Sequence, residues 1–329
     1  MATVTPETRV PVSLPKVGTG GVSRQSVFPR FGQRPSYALA ERTVRYILRG
    51  LAYLTVGITA AILLTLLIDA AGFFQMPGVT LWSFFGGTEW KPFNREPVLG
   101  VLPLLNGTLM IAIGASVVAV PLGLGTAIFL TQYANRRVRA VFMPIIEVLG
   151  GIPTVVYGYF ALQTVTPFLK ATIFPEIEVY NALSASIVVG IAILPMISSL
   201  SMDALQAVPT SVKNAGYAIG MRRFHVTTKI VIPAALSGII ASFILGFSRA
   251  VGETMAVTLA AGSTPSMQVD YLSSVQTMTA YIVQVSLGDI PYGGLVFYTI
   301  YAIGLTLFLT TFLFNYVASL IVRRFREAY

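Results

Sequence analysis

The chain has no cysteine and a single histidine, His225. Only 11% of its 329 residues are Asp, Glu, Lys or Arg, where a soluble domain carries about 25%. Without cysteine there is neither a disulfide framework nor a thiolate metal site. One histidine cannot build a multi-histidine cage, and His225 reads as an exposed structural residue rather than a pH sensor. No Gly-Lys dipeptide occurs, so nothing fits the G-x-x-x-x-G-K-[ST] phosphate cradle. Gly123-Leu124-Gly125 is glycine-rich but lies in an apolar run without lysine. If a nucleotide powers this protein, another subunit binds it. No apolar stretch lies near Met1, so a cleaved signal peptide is not expected, and the first apolar run reads as an uncleaved anchor.

What the chain does have is apolar length. Hydrophobic residues make up 55% of it, and the expected class is an all-α integral membrane protein. Runs long enough for a hydrocarbon core of roughly 30 Å fall at 46–68, 104–130, 141–166, 182–202, 233–261 and 295–322. Six spans are therefore expected within a membrane domain over 46–322. Residues 1–45, rich in Pro, Gly, Ser and Arg, are expected to be a disordered basic segment, and 323–329 a short tail. Pro121 and Pro195 sit inside runs, and Gly150, Gly151 and Pro153 break the third. Trp82, Phe84, Phe85, Trp90 and Phe93, between the first two runs, are expected at headgroup level as an interfacial belt. Val275, Met278, Ile282 and Val285 recur at helical spacing. They predict an amphipathic helix lying on the outer surface or plugging a vestibule.

The net charge of +9 is a topology signal. Eight Lys or Arg precede or open the first run, three follow the second, four lie in 203–232 and three close the chain. Those eighteen of the 22 share one side if six spans are threaded, against three on the other side and Arg249 within a run. Basic residues favour the cytoplasmic side. Both termini and the 203–232 loop are thus expected in the cytosol, the basic residues contacting lipid headgroups and not nucleic acid.

Two features carry chemistry. The polar segment 203–232 reads as a lever feeding directly into the fifth run, and that run contains Arg249 and Glu253. Charge at membrane depth is costly and is a functional candidate by default. Arg249 lies 16 residues past Pro233, about 24 Å along a continuous helix. Its planar fork matches an oxyanion two oxygens at a time. Four residues apart on one helix, Glu253 would share its face and hold it ready between anions; a structural ion pair is the alternative. Glu147 lies six residues into the third run, about 9 Å from its cytosolic end. That depth suits a gate or packing role better than substrate contact.

The lever has a further pattern: Asn214-Ala215-Gly216, three residues, Gly220, nine residues, then Ile230-Val231-Ile232-Pro233. It resembles the EAA loop of ABC importer permeases, with Asn214 where Glu is usual and Gly216 where the second Ala is usual. The stretch from Arg249 to Val257, RAVGETMAV, resembles a signature of the PstC-type phosphate importer permease. Residues 151–158 (GIPTVVYG) and 121–130 (PLGLGTAIFL) resemble two more.

The resemblance implies a six-transmembrane-helix ABC importer permease fold with a cytoplasmic coupling helix, in the cytoplasmic (inner) membrane. It implies a PstA-like permease partner, a PstB-like ATPase dimer that binds ATP and Mg²⁺, and a PstS-like phosphate-binding protein. It also implies that Asn214, Ala215, Gly216, Gly220, Ile230 and Pro233 couple to the ATPase, while the chain itself is no enzyme. Rival readings are the same machine for molybdate, sulfate or phosphonate, a proton-coupled carrier using Glu147 and Glu253, or a non-transporting scaffold.

Overall fold

The structure, a computed structural model, describes residues 35–324 and the side chains of 41–322. Its regular elements are helices apart from one two-stranded hairpin. Helix α1 (Pro35–Phe74) begins well before the boundary expected at residue 46. Proline suits a first helical turn, the run Ala38–Arg45 is rich in helix formers, and Arg45 pairs with Glu41 at 2.7 Å one turn away. Residues 35–45 are therefore helical, not unstructured; the rest of the segment expected to be disordered, and the tail beyond 324, lie outside the described residues. The chain divides into two units, Met1–Thr59 and Ala60–Tyr329, and everything below concerns the second.

After α1 come α2 (Leu81–Gly86), the strands β1 (Trp90–Lys91) and β2 (Val98–Leu99), and α3 (Leu102–Ile128), which runs unbroken past Pro121. Next are α4 (Arg136–Gly151), α5 (Thr154–Phe160), α6 (Thr166–Thr172) and α7 (Ala182–Ala207). The lever region holds α8 (Thr210–Ala218), α9 (Arg223–Val226) and α10 (Ile232–Ala234); its first five residues belong to α7. The chain ends with α11 (Leu236–Val251), α12 (Met255–Ala260), α13 (Met278–Leu287) and α14 (Leu295–Arg324). Wide π-type turns at Phe129–Tyr133, Ala161–Val165 and Thr227–Val231 extend three of these helices.

Among the described residues, four helices are long and apolar enough to cross a membrane. Two bent pairs complete the expected six if each counts as one span: Arg136–Gly151 with Thr154–Thr172, bent by 90°, and Arg223–Ala234 with Leu236–Val251, bent by 68°. The 90° bend falls where the sequence places Gly150, Gly151 and Pro153. Ile152, forced off the α region by the proline that follows, is extended at φ −69°, ψ 128°.

Small residues set the packing. Lipid gives helices no hydrophobic reason to associate, so close approach and dispersion must hold them. Ala112, Ala115 and Ala119 of α3 pack with Ala185, Val188 and Ala192 of α7. At Gly190 a Cβ would come within 2.9 Å of the Ala115 carbonyl oxygen, so only glycine admits this contact.

A second cluster joins Phe73, Phe84, Trp90, Leu104, Tyr281 and Ile303. This divides the aromatics expected as one interfacial belt. Trp82 and Phe93 are exposed, but Phe84 and Trp90 are buried. The hairpin pairs Trp90 with Leu99 and folds the loop back, and the Val101 amide bonds the Phe84 carbonyl at 2.9 Å. Trp90 then meets Tyr281 edge to face at 5.0 Å.

Tyr281 belongs to α13, the helix foreseen from Met278, Ile282 and Val285. It turns one face into the protein and leaves Gln284, Ser286 and Leu287 exposed, the amphipathic pattern that the spacing predicts. Met278, Tyr281 and Val285 are buried, and the Met278 amide donates to Thr108 Oγ1 of α3 at 3.0 Å.

Candidate functional site at the broken fifth run

The run 233–261 is not one helix. It bends at Ala235 and leaves the helical path again at Gly252–Thr254. Arg249 is in the last turn of α11, Glu253 is in the break, and the four-residue spacing no longer places them on one helical face. The local chemistry explains why. Glycine is a weak helix former, and the released backbone groups find substitutes. The Gly252 amide still makes the ordinary helical bond to the Ser248 carbonyl at 3.3 Å, but the Glu253 amide turns to the Ala250 carbonyl at 3.2 Å. Glu253 Oε1 accepts from the Ala256 amide at 3.4 Å. Thr279 Oγ1 of α13 donates to the Glu253 carbonyl at 2.8 Å. Irregular backbone at membrane depth persists where it is satisfied by protein or lines a cavity.

Here it lines a cavity of about 470 Å³, bounded by Thr154, Ser248, Arg249, Gly252, Glu253, Thr254 and Met255. Two breaks in the chain meet at it. Thr154 opens α5 directly after the 90° bend, and Thr254 precedes α12. The two short helices pack so closely that a Cβ at Gly158 would come within 3.0 Å of Ala256 Cα.

The structure therefore brings Arg249 and Glu253 to one cavity without an ion pair between them. Arg249 is exposed, whereas Glu253 is 8% exposed and engaged in capping α12. Glu147 is not part of this site. It sits exposed on α4 with no ion pair among the described residues. Thr154 and Thr279 were not singled out from the sequence. Thr154 stood inside a quoted motif, while Thr279 gave no signal because nothing in its spacing reveals a bond to a residue 26 positions earlier.

The lever is built as its spacing suggests. α8 is stopped two residues before Gly220, whose φ of +79° is the left-handed conformation that favours glycine. The Met221 amide bonds the Gly216 carbonyl at 3.2 Å and the Gly220 amide bonds Tyr217 at 2.9 Å, closing the helix end. Gly216 is buried, and a Cβ there would come 2.6 Å from Ile230 Cδ1 and 3.2 Å from Val226 Cγ2. Glycine in place of the usual alanine thus lets α8 lie directly on the segment leading into the membrane. Asn214, Ala215, Tyr217 and Ile219 are exposed, and Ile219, at 78%, is a large apolar side chain with nothing over it. His225 is exposed beside Phe224. Burial lowers the Lys213 pKa, and its ammonium group reaches the Leu205 carbonyl at 3.4 Å.

Comparison with known proteins decides the family. Residues 119–327 match the model of the binding-protein-dependent transport system inner membrane component. The chain belongs to that family.

The match takes in the lever, both breaks and the cavity. Similar relatives include the probable ABC transporter permease protein YqgH of Bacillus subtilis, 32% identical over 85% of this chain and 90% of its own. The phosphate transport system permease protein PstC of Mesorhizobium japonicum is 32% identical over 80% and 87%. That of Xylella fastidiosa is 35% identical over 63% and 68%. Among solved structures, a bacterial ABC transporter importing the acidic polysaccharide alginate aligns at a TM-score of 0.61, covering 88% of this chain and all of its own at 13% identity. The MetNI methionine ABC transporter aligns at 0.52, covering 69% and 95% at 18%. These likenesses show the ABC importer permease fold.

Proposed function

We propose that this chain is a permease subunit of an ATP-driven importer of inorganic phosphate, working by alternating access in the cytoplasmic (inner) membrane, with both termini and the lever in the cytosol. Arg249 carries the reading. It is a permanently charged, exposed guanidinium at a cavity where an otherwise apolar run breaks, in a chain whose relatives include phosphate permeases. A charged side chain at membrane depth faces protein or water, not lipid. The exposed side of Arg249 is then the pathway, closed by a PstA-like second permease. Arg249 contacts the anion, and Glu253 shapes the break and tempers the local positive potential. Glu147, away from the cavity, serves on the gate side.

Energy comes from outside the chain, which is not itself an enzyme. A PstB-like ATPase dimer, binding ATP and Mg²⁺, closes on α8. Tyr217 and Ile219 offer it an apolar surface, and small Ala215 lets it approach. Asn214, an amide where the family pattern has a carboxylate, supplies hydrogen bonds and not an ionic contact. Movement of α8 passes through the Gly216–Ile230 contact and Pro233 to the bend at Ala235 and along α11 to Arg249. A PstS-like protein delivers phosphate from outside.

The test is radiolabelled phosphate uptake by proteoliposomes holding the whole complex. Uptake should need ATP, survive an uncoupler, and be competed by phosphate and arsenate but not by sulfate or molybdate. Competition by sulfate or molybdate would reassign the oxyanion. Uptake abolished by the uncoupler with ATP present would make the chain a proton-coupled carrier.

A further inference from the structure

Helix α14 carries five Thr or Ser hydroxyls, and each bonds a carbonyl of its own helix. Its one side-chain amide, Asn315, bonds outside its own helix instead. The Asn315 carbonyl oxygen accepts from Ser248 Oγ of α11 at 2.6 Å. This bond engages the amide oxygen and leaves the nitrogen to other partners. Among the described residues that nitrogen, with its two N–H donors, has no partner, and Asn315 is exposed. It stands nine residues inside the end of a helix that is otherwise apolar enough to span a membrane. Lipid offers such an amide no acceptor, so its nitrogen faces protein or the water-filled pathway. The residue that orients it, Ser248, precedes Arg249 and lines the same cavity.

We propose that Asn315 is a second anion contact in the pathway, its N–H groups donating to phosphate oxygens beside Arg249, with Ser248 as the positioning residue. This rests on the phosphate-import reading above. The division of labour is physical. Arg249 supplies charge, while the amide adds directed hydrogen bonds without further positive charge, so the anion is bound yet free to leave. The rival acceptor is a carbonyl of the second permease.

The test uses the assembled complex with saturating phosphate-loaded binding protein. Asn315→Asp keeps the shape and the acceptor for Ser248 but replaces both donors with a negative oxygen. Maximal phosphate transport should fall about 10-fold or more, the scale of a lost hydrogen bond to a charged group. Co-purification with the partners and ATPase stimulation should remain normal. Asn315→Leu should match it, and Ser248→Ala, which only frees the amide to rotate, should give a smaller loss. Full transport by Asn315→Asp would overturn the proposal. So would loss of the second permease from the Asp and Leu complexes, which would make the amide an interface contact. Arg249→Lys run in parallel separates this failure from failure of the import reading: if only the Asn315 variants transport normally, only the amide's role is lost.

Discussion

Thr279 donates a 2.8 Å hydrogen bond from α13 to the main-chain carbonyl of Glu253. The bond holds the break between α11 and α12 open from outside the broken run. Both residues are buried, so no water replaces the donor if it is removed. α13 is itself anchored on α3 through Met278 and Thr108. The break is thus fixed relative to the long helices and can transmit their movement.

Thr279→Val keeps the volume and removes the donor. A buried carbonyl left unpaired costs about 1–3 kcal/mol. The purified complex should melt several degrees lower and transport phosphate more slowly, while Thr279→Ser restores both. Wild-type melting and transport in the valine variant would show that the break does not depend on this bond.

Arg249→Lys separates charge from geometry. Lysine retains the positive charge but not the planar pair of donors. Because Glu253 caps α12 and is not paired with Arg249 in this structure, the substitution strands no buried partner. Assembly should therefore be normal and phosphate transport should fall about 10-fold or more, as for loss of a bidentate charged contact. Unchanged uptake would remove Arg249 from the pathway.

Gly220 sets the exit angle of α8. A β-branched residue at φ +79° is strained by roughly 1–2 kcal/mol, whereas asparagine visits this region readily. Gly220→Val should leave the complex assembled but abolish the rise in ATPase rate that loaded binding protein produces; Gly220→Asn should retain it. Normal stimulation in the valine variant would show that α8 is not the coupling element.

The sequence made some of this visible and hid the rest for identifiable reasons. The motif resemblance located α8 and helical spacing located α13, because a short motif and a periodicity are local properties. The break at Pro153 was equally local. The one at Gly252–Thr254 was hidden because a single glycine in an apolar run is compatible with a continuous helix. What settles it are the bond that Glu253 Oε1 accepts from Ala256 and the one that Thr279 donates to the Glu253 carbonyl, which replace the lost helical ones. Burial of Phe84 and Trp90 depended on the hairpin folding back, which no pattern in 82–93 encodes. Asn315 could have been found, since an amide in an apolar span stands out, but only the structure places it on Ser248.

The 90° bend offers the last test. Tyr157 Oη donates to the Leu149 carbonyl at 2.8 Å, bridging the bend from α5 back to α4. The Leu149 carbonyl also accepts from the Ile152 amide, but at 3.4 Å, so the phenol is its closer partner. Removing it in Tyr157→Phe leaves the ring packed in place and weakens only the clasp. The expected cost is about 1 kcal/mol, the worth of one hydrogen bond, and it should appear as increased hydrogen exchange at 149–152. Since Thr154 lines the cavity just beyond the bend, phosphate transport should drop severalfold with assembly intact. Pro153→Ala acts on the same bend from the backbone side by lifting the restriction on Ile152. If the clasp and the proline enforce one geometry, the double variant should be worse than the sum of the two. Simple additivity would mean that they act independently, and no effect of Tyr157→Phe would mean that Pro153 alone holds the bend.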